Sequence, residues 1–221
     1  MIDEYAKIAP YYERILGKRL YSIRKNIRTF IHYQGHRRII DMCCGTGRQL
    51  EMLKEPGMDL YGVDISLAMI DEAAQHEITF INKNALDVDL PAESFDAVIL
   101  SFSLHEKNDY DRNILLDTSW KLVRPKGHLI ISDYCRVPTT WQGFLWGRIL
   151  IPLLERLAGR EHHRNYSSWM SGGALEKHIE PIAARKNIIS QHFNGTISVC
   201  SIQKEPYAEK VFRAVKLIQQ S

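Results

Sequence analysis

The sequence predicts a doubly wound α/β domain built on a mostly parallel sheet. Short apolar runs alternate with segments of helical periodicity between residues 37 and 134, and this alternation is typical of a parallel sheet with helices on both faces. The first apolar run breaks into a turn of small residues before a helix begins, with the sequence Cys43-Cys44-Gly45-Thr46-Gly47. Such a turn lets backbone N–H groups approach a bound cofactor.

The elements follow in a regular order. An N-terminal helical segment is predicted for residues 1–36. Strands are predicted near 37–44, 59–64, 78–82, 95–102 and 127–134, and the helices between them near 46–55, 66–75 and 109–123. Two strand-like runs then flank Asn194-Gly195, a strong hairpin signal, at residues 186–193 and 196–202. A last helix is predicted near 206–219.

Composition indicates an ordinary globular chain. Its 221 residues, 45% of them hydrophobic, suffice for one domain spanning residues 1–221. We find no apolar run of the ~20 residues that a membrane span needs, and no signal peptide. We therefore expect a cytoplasmic protein with reduced thiols, and the spacing of its four cysteines fits neither a metal site nor a disulfide framework.

Positive charge is concentrated near the N-terminus, although the net charge is only +3. No acid occurs between Glu13 and Asp41, and apolar residues recur there at helical spacing, which predicts an amphipathic helix with a basic face. The basic face is either a solvated outer surface or a surface attracted to anionic lipid or an acidic substrate. The mild charge does not indicate nucleic-acid binding.

Residues 137–183 are additional to the minimal sheet, and we predict that they form a helical lid. An apolar stretch with two tryptophans, Trp141 and Trp146, is followed by a polar one. The insertion is either a helix buried against the sheet or an apolar lid over a lipophilic substrate, since tryptophan is costly to bury without a partner for its indole N–H.

The second predicted strand ends in Asp64, an acid placed to accept hydrogen bonds from the ribose hydroxyls of a nucleoside. Further motifs lie downstream: Asn84-Ala85 in a segment ending at Pro91, Ser94-Phe95-Asp96, and Pro125-Lys126-Gly127. Together these segments resemble the class I S-adenosylmethionine-dependent methyltransferase family over roughly residues 37–134, and the loop is similar to that of the ubiquinone/menaquinone C-methyltransferase branch. Cys43 and Lys126 depart from the family pattern, which has glycine at both positions.

The resemblance implies S-adenosylmethionine as cofactor and a seven-stranded sheet of order 3-2-1-4-5-7-6, with an antiparallel last strand. It also implies that the insertion after the fifth strand sets substrate specificity. Asp64 would hold the ribose, Gly45 and Gly47 would admit the methionine end, and Asn84-Ala85 would meet the adenine, with Asp87 as a rival. The full predicted cofactor set is Asp41, Cys43, Gly45, Gly47, Asp64, Ile65, Asn84, Ala85 and Ser101. Asp41 suits the ammonium of the cofactor, or else braces the loop.

A base is needed when the acceptor carries a proton. His105 and Glu106 follow the fourth strand and are the first candidates. The alternative is that His105 packs the strand end while Glu106 caps the next helix. His162, His163 and Tyr166 on the lid are second candidates, or surface residues.

The sequence thus predicts a methyltransferase for a small, apolar or aromatic acceptor. A membrane-surface lipid methyltransferase and a non-catalytic cofactor-binding subunit are the alternatives. Amino-DNA methyltransferases carry an Asn/Asp-Pro-Pro-Tyr/Phe sequence after the fourth strand, whereas this chain has Ser101-Phe102-Ser103-Leu104.

Overall fold

A seven-stranded sheet lies at the centre of the computed structural model, which describes residues 9–73, 78–136, 160–180 and 186–205. Its strands are β1 (Arg38–Met42), β2 (Asp59–Asp64), β3 (Thr79–Asn82), β4 (Phe95–Ser101), β5 (Val123–Tyr134), β6 (Lys186–His192) and β7 (Ile197–Gln203). Their order is β3-β2-β1-β4-β5-β7-β6. The first five strands run parallel, and β7 is antiparallel to β5 and β6. The predicted order and the antiparallel final hairpin are confirmed.

Helices cover both faces of this sheet. Those in the described residues are α1 (Ala9–Tyr33), α2 (Arg48–Leu53), α3 (Leu67–Ala73), α4 (Asp109–Leu122), α5 (Arg160–Ser171) and α6 (Ala174–Ile179). The prediction for α2 was wrong at both ends. Gly47 before it has a left-handed φ of 69°, and Lys54 after it is extended, so only the residues between can be helical.

The core lies on both faces of the sheet because the central strands are largely apolar. Along β4, Val98 and Leu100 point into one buried cluster, whereas Ala97 and Ile99 point into the other. Side chains alternate between the two faces of a strand, so a continuous apolar run requires cover on both sides. Helix α1 provides part of this cover through Ile23, Ile27 and Ile31.

Some predictions fall outside the described residues, namely the apolar part of the lid and the last helix near 206–219. Of the lid, residues 160–180 are described, and they form the two helices α5 and α6. Among the described helices, none has both the length and the apolarity needed to cross a membrane.

Lys126 lies in the turn within β5 and has a φ of 66°. Its side chain is exposed, so glycine there removes the steric penalty of the left-handed conformation without removing a buried contact. We expect Lys126→Gly to raise the free energy of unfolding by about 0.5–1 kcal/mol. Denaturant titration measures this change, with Lys121→Gly, in the last turn of α4, as a control that should destabilise. An unchanged or lower stability of Lys126→Gly would contradict the strain argument.

Candidate functional site

A cleft lies at the carboxyl ends of β1, β2 and β4, where ligands bind in open α/β sheets. It contains about 680 Å³ of space, part of it open to solvent. We call it the main cleft. Its lining residues are Cys43, Gly45, Asp64, Ile65, Met69, Asn84, Ala85, Leu86, Ser101, Phe102, Ser103, Glu106 and Lys107.

A second pocket, of about 480 Å³, lies beside the main cleft and shares Cys43, Gly45, Ser101 and Phe102 with it. We call it the α1 pocket, because Leu20, Ile23 and Arg24 of α1 form one wall. The other lining residues are Asp41, Cys44, Thr46 and Gln49. The two spaces together extend from β3 across β1 to the N-terminal helix.

The turn after β1 takes left-handed backbone at alternate residues. The φ angles are 65° at Cys43, 53° at Gly45 and 69° at Gly47. Cys43 therefore keeps the conformation that favours glycine, which is the residue of the family pattern at this position. A Cβ on Gly47 would lie 2.8 Å from Phe80 and 3.0 Å from Ala73. Gly47 thus allows close packing beneath the turn, and it is not among the residues that line the two spaces.

Asp64 connects the turn after β1 with the turn after β2. Its Oδ2 accepts a hydrogen bond from Gly45 N at 2.7 Å, and its Oδ1 accepts one from Ser66 N at 2.9 Å. Burial raises the pKa of Asp64, against the effect of these two hydrogen bonds. Each carboxylate oxygen retains a further lone pair, so Asp64 can still accept hydrogen bonds from a diol in the cleft. The first turn of α3 is capped by Ser66, whose Oγ accepts from Met69 N at 3.2 Å.

Asp41 at the end of β1 is only 2% exposed. Its Oδ1 has no hydrogen-bond partner within the described part of the chain, and the same is true of Gln49 Oε1. Burial raises the pKa of Asp41 to about 8, although the positive charge of Arg24 opposes the shift. A buried acceptor without a hydrogen bond costs free energy. These two oxygens therefore provide a site for a positively charged hydrogen-bond donor in the α1 pocket.

Asn84 and Ala85 lie at the other end of the main cleft, beside the apolar side chains of Ile65 and Met69. Asn84 caps the short helical turn that follows, since its Oδ1 accepts from Leu86 N at 3.0 Å. Asp87, the rival for the adenine, is exposed and is not among the residues that line this cleft.

His105 is 3% exposed and lies behind the wall of the main cleft, of which Glu106 and Lys107 form part. Its Nδ1 is 2.7 Å from Oδ1 of Asp133, a residue with no exposed surface. With the proton on Nδ1, Nε2 is the basic nitrogen of the ring. The ring of Tyr166 lies edge-on to that of His105, with centroids 6.3 Å apart.

The loop that carries His105 and Glu106 is held by side chains from three other elements. Arg112 donates from Nε to Leu104 O at 2.9 Å and from Nη2 to Lys107 O at 2.6 Å. Asn165 of α5 donates to Glu106 O at 2.7 Å. Asp133 of β5 accepts from Leu104 N at 3.1 Å. Four backbone polar groups of this loop are therefore paired by side chains, without a helix or strand.

Helix α4 is capped by Asn108, which accepts from Asp111 N at 2.9 Å. The alternative that Glu106 caps this helix was therefore wrong. Glu106 lines the cleft instead. Burial works to lower the pKa of Lys107, but neighbouring negative charge, including that of Glu106 and Asp64, raises it above its ordinary value.

The second candidates for a base lie on α5. Tyr166 is 3% exposed and packs near His105, so the alternative that it is a surface residue was wrong. His163 is half-buried. The side chain of His162 lies outside the part of the structure that is described. Burial raises the pKa of the Cys43 thiol to about 12, so this residue is a neutral wall of the cleft.

Sequence reasoning gave no role to Asp133, Arg112, Asn165, Arg24 or Gln49. Asp133 could have been identified as a candidate, because it is a charged residue in an apolar run. Arg112 and Asn165 have no comparable signal, because their partners in this loop are backbone groups that any sequence possesses. The described residues contain no group of three or more side chains that could hold a metal ion.

The sequence matches a family model described as a methyltransferase domain over residues 39–127. Curated relatives include a demethylmenaquinone methyltransferase from Thermus thermophilus, 28% identical over 70% of this chain and 75% of its own length. A demethylmenaquinone methyltransferase from Listeria monocytogenes is 26% identical, with 78% of each chain covered. A 2-phytyl-1,4-naphtoquinone methyltransferase from Trichormus variabilis is also 26% identical, over 75% of this chain and 80% of its own.

Solved structures share the fold. A protein from Pyrococcus horikoshii OT3 has a TM-score of 0.62 at 17% identity, with 93% of this chain and 100% of that chain covered. The plantazolicin methyltransferase BpumL, solved in complex with S-adenosylhomocysteine, has a TM-score of 0.61 at 16% identity, with 90% of each chain covered. At these identities the likeness establishes the architecture of the sheet and its helices.

Proposed function

We propose that this chain, which belongs to the class I S-adenosylmethionine-dependent methyltransferases, transfers a methyl group to a small, apolar or aromatic acceptor. One observation carries the proposal. Asp64, Asn84 and the unpaired oxygen of Asp41 lie along adjoining spaces at the carboxyl ends of the strands. The acceptor class is supported by the names of the curated relatives, which specify demethylmenaquinone and a naphtoquinone.

The residues present fit the cofactor. The paired carboxylate of Asp64 suits the ribose diol, and Ile65 and Met69 provide an apolar surface for the adenine beside Asn84. The unpartnered oxygens of Asp41 and Gln49 suit the amino-acid end. S-adenosylmethionine supplies a methyl group already activated by the positive charge of its sulfonium.

The protein contributes alignment, exclusion of water and, where the acceptor requires it, a base. The loop of residues 104–107 forms part of the cleft wall and is held by Arg112, Asn165 and Asp133. We assign the base to His105, which Asp133 orients through Nδ1. Glu106 faces the cleft directly and is the second candidate from this loop.

A labelled-methyl assay with a cell extract, followed by mass spectrometry of the product, tests the proposal. We expect label in a small organic-soluble compound. Binding of S-adenosylhomocysteine without transfer to any acceptor in the extract would favour the alternative of a cofactor-binding subunit. No binding at millimolar concentration would overturn the proposed cofactor.

Cofactor affinity should depend on pH through Asp41. Burial raises the pKa of this carboxyl to about 8 in the ligand-free protein, and an adjacent ammonium would lower it again. Binding therefore releases a proton below pH 8, and affinity should rise by up to about tenfold per pH unit from pH 6 towards pH 8. Calorimetry with S-adenosylhomocysteine in two buffers of different ionisation enthalpy measures this proton.

Asp41→Asn is the matched control for the pH effect. The variant should bind more weakly at pH 8 and lose the dependence on pH between 6 and 8. Because the folded state raises this pKa, it holds a proton that the unfolded state has lost, and the stability of the ligand-free protein falls as pH rises from about 4 to about 8. Asp41→Asn should therefore be at least as stable as the wild type at pH 8. Retention of the full pH dependence in the variant would contradict the role of Asp41.

The lipid alternative is favoured by the outer face of α1. Six exposed residues follow one stripe of the helix at intervals of three and four, without an acid among them: Tyr11, Arg14, Lys18, Tyr21, Lys25 and Arg28. The two tyrosines are each 56% exposed. Basic residues with interfacial aromatics suit a surface of anionic lipid. Leu20 and Arg24 of the same helix line the α1 pocket, so lipid bound by the stripe would lie near the site.

Charge reversal tests this surface. We expect wild-type protein to co-sediment with vesicles that contain anionic lipid, less so at high salt, and Lys18→Glu with Lys25→Glu to lose most of the binding. Lys121→Glu with Lys126→Glu changes the net charge equally on another surface and should bind as wild type does. Equal binding by both double variants, or a preference for nucleic acid over vesicles, would reject the lipid surface.

A further inference from the structure

Glu13 and Arg24 form a bidentate ion pair beside the α1 pocket. Glu13 Oε2 lies 2.7 Å from Arg24 Nη1, and Glu13 Oε1 lies 2.9 Å from Arg24 Nη2. Thr46 of the glycine-rich turn donates from Oγ1 to Glu13 Oε1 at 2.6 Å. One carboxylate therefore bridges the N-terminal helix and the turn.

This contact spans an unusual distance along one helix. Glu13 and Arg24 are separated by eleven positions, or about 16 Å of helix axis. Gly17 lies between them on the same side, and a Cβ there would be 2.8 Å from Glu13 Oε2. The absence of a side chain at Gly17 lets the carboxylate of Glu13 lie along the helix towards Arg24.

The surroundings of the pair match the chemistry of an α-amino acid. Arg24 and Thr46 line the α1 pocket and provide donors for a carboxylate. Asp41 and Gln49 line the same pocket, and their Oδ1 and Oε1 atoms are buried without a hydrogen-bond partner among the described residues. They provide acceptors for an ammonium. The side chain of Glu13 satisfies the donors, whereas the acceptors stay unpaired.

We propose that Glu13 occupies the place of the cofactor's α-carboxylate, and that cofactor binding displaces Glu13 from Arg24 and Thr46. The inference rests on the proposed function, because it assigns the amino-acid end of S-adenosylmethionine to the α1 pocket. Arg24 and Gln49 are then further cofactor-binding residues. Binding exchanges one carboxylate for another at Arg24, so Glu13 acts as an internal competitor that weakens cofactor affinity. Its release also removes a link between the start of α1 and the glycine-rich turn.

Two ligands that differ only at the amino-acid end test the inference by calorimetry. S-adenosylhomocysteine carries the carboxylate and ammonium, whereas 5′-methylthioadenosine lacks both. Glu13→Ala should bind S-adenosylhomocysteine about threefold to tenfold more tightly, since a partly buried ion pair no longer competes. Arg24→Met should bind it at least about tenfold more weakly. Both variants should bind 5′-methylthioadenosine as wild type does.

Thr29→Ala, an exposed change on the same helix and outside the basic stripe, is the control and should leave both affinities unchanged. Glu13→Gln is a second variant in case Glu13→Ala does not fold. It keeps a hydrogen-bonding side chain, so we expect a smaller gain in affinity for S-adenosylhomocysteine. In the Arg24→Met background, Glu13→Ala should give no further gain.

An unchanged or weaker affinity of both Glu13 variants for S-adenosylhomocysteine would overturn the inference. Equal effects of Arg24→Met on the two ligands would also overturn it, because they would indicate general damage to the site. In either case, wild-type binding of both ligands leaves the proposed function standing. Wild-type protein that binds neither ligand would instead refute the proposed function.

Discussion

His105→Ala should lower kcat by about 10²–10⁴ with an acceptor that carries a proton, while cofactor affinity stays within about twofold of wild type. The expected loss is large because a positioned base acts only in the transition state. Asp133 holds Nδ1 at 2.7 Å, which leaves Nε2 as the basic nitrogen. Steady-state kinetics and calorimetry with S-adenosylhomocysteine measure the two quantities separately, and the pH profile of kcat should lose an inflection.

His32→Ala provides the control, since this partly exposed histidine lies at the end of α1, away from the cleft lining. It should leave kcat and affinity unchanged. A loss below threefold in His105→Ala would transfer the role of base to Glu106, His162, His163 or Tyr166, or show that alignment alone suffices. Thermal denaturation of His105→Ala separates this result from a loss of folded protein, because the side chain is buried.

Asp64→Ala should weaken the binding of S-adenosylhomocysteine by about 1.5–3 kcal/mol, or roughly 10- to 150-fold. Two charge-assisted hydrogen bonds to the ribose would be lost. The carboxylate also accepts from Gly45 N and Ser66 N, so its removal loosens the turn that lines the main cleft. Asp64→Asn keeps one acceptor oxygen and should have a smaller effect in the same direction.

Asp59→Ala is the matched control, because Asp59 is the first residue of the same strand and its side chain is exposed. It forms a surface ion pair with Arg38 at 3.4 Å, and such pairs contribute little to stability. We expect no more than a twofold change in affinity. Binding by Asp64→Ala within threefold of wild type would remove Asp64 from the cofactor site.

Local sequence patterns predicted most of the fold. Apolar runs and helical periodicity located every strand of the sheet, and Asn194-Gly195 located the final hairpin. The ends of elements were less predictable. Strand β5 begins at Val123 rather than at 127, and Val123 pairs with Phe95 of β4 across an irregularity in register. A pairing of this kind depends on the neighbouring strand, so a local pattern cannot locate it.

The departures from the family pattern had a structural meaning that the sequence alone did not reveal. Cys43 and Lys126 replace glycines, and both keep a left-handed φ. Cys43 lies in the turn between β1 and α2, and Lys126 lies in the turn within β5. The residue types alone would have suggested a different conformation, because a side chain disfavours this region.

The sequence by itself determined the fold class and, through the family resemblance, the strand order, and it predicted the carboxyl ends of the strands as the place for the cofactor. These properties follow from periodicity and from motifs that lie within a few residues of each other. The tertiary structure alone decided that Asp133 orients His105, that Arg112 and Asn165 hold the loop between them, and that Glu13 reaches Arg24 and Thr46. Such contacts join side chains and backbone groups from different elements, and only the packing of those elements brings them within hydrogen-bond distance.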